Sequence, residues 1–161
     1  MLNLKPVLYI QISPERLTVT NARTGASISE VPEIAMAPDG ERVVAIGAEA
    51  RTAAAAGSAR VLNPFGHPRT LISDFTAADQ VVRAFVKRSF AGSVQLMKPR
   101  IVIHPLGDPE GGFTQVERRA IRELAAGAGA GQVVVWTGRP LTNAEVLESR
   151  FPAGEGVAEE T

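Results

Sequence analysis

Three short stretches of this chain are almost wholly apolar: Val7 to Ile12, Ile101 to Ile103 and Val133 to Trp136. Runs of that length, bounded by prolines, glycines or polar turns, read as buried strands. Arg16 to Thr20 instead alternates through Leu17 and Val19, so it reads as the hairpin partner of the first run across Ser13-Pro14-Glu15. Ile28 to Val31 and Ile34 to Met36 predict a third strand interrupted by Pro32. Pro38-Asp39-Gly40 turns the chain into Arg42 to Ile46. The first quarter therefore predicts an antiparallel meander, followed by an alanine-rich helix over 47–56 that Gly57-Ser58 stops.

Elsewhere the apolar period becomes helical. Val81, Val82, Phe85, Val86 and Phe90 predict an amphipathic core helix over 76–90, with Ser73 or Asp74 as its cap. Val116, Ala120, Ile121, Leu124, Ala125 and Ala128 form a second stripe. A Thr114-x-x-Glu117 capping box opens that helix, and Gly127, Gly129 and Gly131 end it. Pro99 to Trp136 is thus a strand, helix, strand unit, which predicts two parallel strands with a right-handed crossover. Its inward residues should be Ile101, Ile103, Ile121, Leu124, Val133 and Val135. Leu141 to Phe151 predicts a short helix, and 152–161 a flexible acidic tail.

Composition narrows the picture. The chain has 161 residues, 45% of them hydrophobic, which suits one folded domain. Lys plus Arg equals Asp plus Glu at 17 each, so no global field draws in nucleic acid. The absence of cysteine removes disulfides, thiolate metal sites and Cys nucleophiles. The start lacks the pattern of a secretory leader, no stretch holds eighteen consecutive apolar residues, and a cytoplasmic protein is the expectation.

Candidate chemistry is sparse. His67 and His104 have no companions at metal-ligand spacing and read as loop or strand-end residues. Ser13, Ser73 and Ser89 lack a nucleophile-elbow context. The glycines from Gly127 to Gly131 lie at a helix end rather than at the helix N-terminus that cradles phosphate. Arg118, Arg119 and Arg122 are interspersed with Glu117 and Glu123, which reads as a solvated face.

Thr114-Gln115-Val116-Glu117-Arg118-Arg119-Ala120-Ile121-Arg122-Glu123, followed by Ala126 to Ala130 and a Val-rich strand, closely resembles a segment of the bacterial actin-like MreB family. Leu8-Tyr9-Ile10, the strand end Val44 to Gly47 with its alanine-rich helix, and Leu71-Ile72-Ser73-Asp74-Phe75 extend the resemblance over roughly Val7 to Leu147. It implies an α/β fold with an α+β-like start: half of domain I of an actin-like (ribonuclease H-like) ATPase, a mixed sheet with flanking helices. Residues 1–151 would then be one truncated domain, subdomain IA with an inserted IB-like part.

In that family the first hairpin presents Asp-Leu-Gly-Thr to the metal and phosphates of ATP. Here Gln11, Ile12, Ser13 and Pro14 stand at the matching place, so the carboxylate is gone and Pro14 has no N–H to offer. The family's Glu-Glu-Pro turn, which supplies a carboxylate for the attacking water, is matched by Gly138-Arg139-Pro140. The second phosphate loop, the adenosine pocket and domain II have no counterpart in the sequence.

The resemblance therefore implies a non-catalytic, binding or structural protein linked to the cell-shape cytoskeleton, with no cofactor and no metal. Two alternatives stay open: a half-site nucleotide binder that needs a partner chain to complete the cleft, and a remnant without selected activity. The expected partner is a second copy or an actin-like cytoskeletal protein, and association with the inner-membrane surface is left open. Leu141, Val146, Leu147 and Phe151 are the residues expected at an interface, unless that segment folds back over the sheet itself.

Overall fold

The computed structural model describes residues 5–161. Among them, β1 (Val7–Ile12), β2 (Leu17–Asn21) and β3 (Ser27–Glu30) form an antiparallel meander at one side of the main sheet. β4 (Ile34–Met36), β5 (Val43–Ile46) and β6 (Arg60–Leu62) make a separate small antiparallel sheet, closed by α1 (Ala50–Ala55). α2 (Phe75–Ser89), β7 (Arg100–Pro105), α3 (Gln115–Gly127), β8 (Gln132–Gly138), α4 (Asn143–Glu148) and β9 (Gly156–Glu160) follow. The main sheet runs β3-β2-β1-β7-β8-β9, with β1, β7 and β8 parallel and β9 antiparallel to β8.

The unbroken apolar runs have a direct cause. β1, β7 and β8 are central and covered on both faces, so neither set of alternating residues meets water. Leu8, Ile10, Ile101, Ile103, Val133 and Val135 face α2 and α3, where Val81, Phe85, Ile121 and Leu124 are buried with them. Val7, Tyr9, Val102, Val134 and Trp136 face the other way, against Leu141 and Val146. All six residues expected on the inward faces of the strand, helix, strand unit are buried in that first core.

The helix starts are also as the sequence implies. Thr114 Oγ1 accepts from the Glu117 N–H and the Glu117 carboxylate accepts from the Thr114 N–H, while Asp74 accepts from the Ala77 N–H. Glu117 does a second task. Its other carboxylate oxygen accepts from the Leu71 N–H at 3.0 Å, which ties the preceding loop to α3.

The structure departs from the expected elements at several points. The meander does not continue through Ile34: Pro32 cannot donate to a ladder, and the turn from Val31 to Glu33 sends the chain into the small sheet. Glu33 is buried there and receives a bidentate guanidinium from Arg51. β6 is a three-residue strand that periodicity does not mark. Val116 is not part of the buried stripe; it lies in the first turn of α3 and is 77% exposed.

The acidic segment 152–161, expected to fray, contains β9. Its carboxylates are counter-ions to distant arginines: Glu159 meets Arg118 at 2.7 Å and Arg122 at 3.1 Å, and Glu155 meets Arg139 at 2.9 Å. Leu141 and Val146, expected at an interface, are buried against the chain's own sheet, with Leu147 and Phe151 partly buried beside them. Arg100 helps to fix this cover by donating to the Val146 and Leu147 carbonyls at the end of α4.

Candidate functional site

In open sheets with parallel strands, ligands bind beyond the carboxyl ends of those strands. Here that rim is built from three connections: the β1–β2 hairpin, the loop 106–113 after β7, and the turn 138–140 after β8. The β1–β7 register sets Gln11 beside His104 and Ile12 beside Pro105, so the sequence-expected hairpin and the loop do meet.

The hairpin is closed on itself. The Ser13 N–H donates to the Arg16 carbonyl at 2.9 Å, and the Arg16 N–H donates to Ser13 Oγ at 3.1 Å. Pro14 contributes only its carbonyl, which accepts from Asn63 Nδ2 at 2.7 Å. A phosphate needs convergent N–H donors, and Ser13 and Arg16 spend theirs internally.

The turn after β8 is fixed by Arg139. Its guanidinium donates to both Glu145 oxygens, at 3.1 and 2.8 Å, and to Glu155 at 2.9 Å. Glu145 in turn closes a capping box with Thr142 at the start of α4. The Arg139 contact, then the Thr142 N–H, hold the Glu145 carboxyl down at about 2. Glu145, then Glu155, raises the Arg139 pKa in turn. Arg139 is thus a bracket joining α4 to the approach to β9, and the rim gains no free carboxylate from this turn.

Under the turn lies a buried polar chain that sequence reasoning missed. His104, 1% exposed, places Nδ1 2.7 Å from Tyr9 Oη and Nε2 2.9 Å from the Gly138 carbonyl. The Leu141 N–H donates to Tyr9 Oη at 3.1 Å. These contacts define one consistent arrangement: Leu141 N–H to Tyr9 Oη, Tyr9 O–H to His104 Nδ1, and His104 Nε2–H to the Gly138 carbonyl. Burial pushes the His104 pKa down to about 4 and raises that of Tyr9. The signal was available: with Val102, His104 lies on the face of β7 that continues Tyr9 across the register. His67 stays in an exposed loop, where Nδ1 accepts from the Arg69 N–H.

Two cavities open at the rim. One, of about 480 Å³, lies between the 106–113 loop and the end of β8, bordered by Asp108, Phe113, Arg118 and Thr137. The other, of about 500 Å³, runs beneath Pro14 between Phe65, Leu71, Leu106 and Phe113. Among the described residues no group of three or more His, Asp and Glu side chains is placed to hold a metal ion.

A family model described as MreB/Mbl protein matches residues 10–144. The chain belongs to the MreB/Mbl family. The cell shape-determining protein MreB of Escherichia coli is 41% identical over 64 residues, which are 39% of this chain and 17% of that protein. The protein of the same description from Haemophilus influenzae is 38% identical over 63 residues.

MreB5 of Spiroplasma citri bound to ADP superposes with a TM-score of 0.63 at 19% identity, over 82% of this chain and 38% of that one. A non-polymerising mutant of MamK bound to AMPPNP gives 0.63 at 14% identity, over 81% and 40%. The fold is that of an actin-like ATPase, a mixed sheet with flanking helices. The MreB/Mbl chain described here spans about two fifths of these solved relatives.

Proposed function

We propose that this MreB/Mbl-family chain is a non-catalytic binding component of the bacterial cell-shape cytoskeleton. The observation that carries the reading is the rim. Gln11 supplies no charge, Pro14 no donor, and Arg139 is spent on Glu145 and Glu155 where the family resemblance implies a carboxylate. Phosphoryl transfer rests on positioning and charge stabilisation, and the residues for both are replaced. Titration of the full chain with Mg-ATP up to millimolar concentration should give no heat of binding. A micromolar dissociation constant would overturn the reading. Nucleotide binding that arises only when a full-length MreB is added would instead support the half-site alternative.

A second reading, that the component sits on the cytoplasmic face of an anionic membrane, is favoured by the segment between α2 and β7. Val94 and Leu96 are 82% and 89% exposed, with Met97 beside them. Arg83, Lys87 and Lys98 surround an apolar cavity of about 320 Å³ floored by Val86 and Phe90. Exposed apolar side chains ringed by cations suit an interface of acyl chains and anionic headgroups. No helix among the described residues is long and apolar enough to cross a membrane. Flotation with vesicles containing phosphatidylglycerol should carry the protein up, and Leu96→Asp should reduce the bound fraction at least about tenfold. Equal flotation of the variant, or of the protein with neutral vesicles, would refute this docking mode.

A further inference from the structure

We propose that the outer edge of β8 is a strand-acceptor surface that reads an extended Gly-x-x-Glu segment, and that a second copy of this chain fills it with its own residues 156–160 by strand exchange.

The reading is stereochemical. Gly156 stands opposite Gly138 in the β8–β9 register. A Cβ at position 156 would lie 2.4 Å from Trp136 Cζ2 and 2.5 Å from the Thr137 carbonyl oxygen. At Gly138, with φ of 154°, it would lie 2.4 Å from the Glu155 carbonyl oxygen. The indole therefore occupies the space a side chain would need, and only a strand with glycine at this point seats on the edge. Three residues on, Glu159 brings one carboxylate to two guanidiniums, Arg118 and Arg122 of α3. Ala158, opposite Trp136, is small enough to pack on the second core. Backbone pairing supplies adhesion and these positions supply selectivity, which is how an added strand is recognised.

The hold on β9 is short and wet. It spans five residues, and its outward Val157 is exposed. The Glu159, Arg118 and Arg122 side chains are 29–31% exposed, so solvent and salt reach the ion pairs. The connector to α4 contains Pro152, a turn in which the Glu155 N–H donates to the Pro152 carbonyl at 3.2 Å, and Gly154 with φ of 84°. When β9 leaves, Val134 to Gly138 lose their ladder partner, and such an unpaired edge is a template for pairing with another chain. A second copy offers the segment that already fits. Every contact made within one chain is reproduced between two, so concentration and the connector decide the outcome, as in other segment exchanges.

The chain has no cysteine, which makes a disulfide test clean. Thr137 and Val157 are directly opposed, and opposed antiparallel residues, with Cα atoms about 4.5–5.5 Å apart, are within disulfide reach. Full-length Thr137→Cys and Val157→Cys variants, one tagged, would be mixed at high micromolar concentration, incubated at low and high salt, and oxidised. The expected result is a heterodimer linked between positions 137 and 157, accumulating faster at high salt. It should vanish when the Val157→Cys copy also carries Gly156→Val, and circular dichroism would show that this copy is folded. A Glu159→Arg copy serves the same purpose if it is not. Linkage no greater than that of an exposed Val94→Cys control, or linkage indifferent to both substitutions, would overturn the proposal.

Discussion

Ile121→Ala should lower the unfolding free energy by about 2–5 kcal/mol, the range for emptying a fully buried aliphatic site. Ile121 is wholly buried on the inward face of α3, in one cluster with Ile101 and Ile103 of β7, Val133 and Val135 of β8, and Val81 and Phe85 of α2. Strands on one side and a second helix on the other leave little room for collapse into the gap, so the cost belongs in the upper part of that range. Val116→Ala, in the first turn of the same helix but exposed, should change stability by less than about 0.5 kcal/mol. Urea unfolding of both variants tests the pair. An unchanged midpoint for Ile121→Ala would mean that α3 does not pack as described.

Acidification from pH 6.5 to 4 should cost up to about 3 kcal/mol through His104 alone. Folded, His104 stays neutral down to about pH 4 because burial penalises the imidazolium. Unfolded, it takes up its proton near its ordinary value of about 6.5. Between those limits the unfolded chain binds more protons, so stability falls as pH drops through the window and the slope ends below it. The acids with lowered folded values, Glu145 at about 2 with Asp39 and Glu117 also shifted down, act in the opposite half of the problem. Their contribution is fully present above the ordinary carboxylate range and is lost as pH falls through it, so about pH 5–6.5 reports mainly the histidine. His104→Gln keeps an acceptor for Tyr9 and a donor for Gly138 but cannot titrate. Denaturation midpoints of that variant should be flat across the window while those of the unaltered protein fall. A flat profile for both would show that the imidazole is not shielded as its surroundings imply.

The parts of the fold that sequence made readable are those in which local pattern and tertiary role coincide. Val133-Val134-Val135 had to be a strand covered on both faces, and Thr114 with Glu117 had to open a helix, because both signals lie within a few residues. Pro32 was visible as an interruption, but not as the point where the chain leaves one sheet for another, since that depends on where Glu33 finds Arg51. β9 was hidden for a related reason. Glu159 reads as solvating until Arg118 and Arg122, some forty positions away, are brought beneath it. The rim was half legible. That Gln11, Pro14 and Arg139 stand where the family carries its phosphate and water-positioning residues is what the resemblance implies, whereas the carboxylates that neutralise Arg139 and the Tyr9–His104 chain beneath Gly138 come together only through the sheet register.

Trp136 is the sole tryptophan in the sequence. Its indole N–H donates to the Arg139 carbonyl at 2.8 Å, its ring stacks with Phe151 at 5.8 Å, and Gly156 passes directly against it. Tryptophan fluorescence therefore has one source, located where the turn after β8, the α4 connector and β9 converge. A red shift in emission that precedes the loss of helical circular dichroism would report undocking of that corner before the rest of the molecule melts, so the protein carries its own optical probe of the sheet edge.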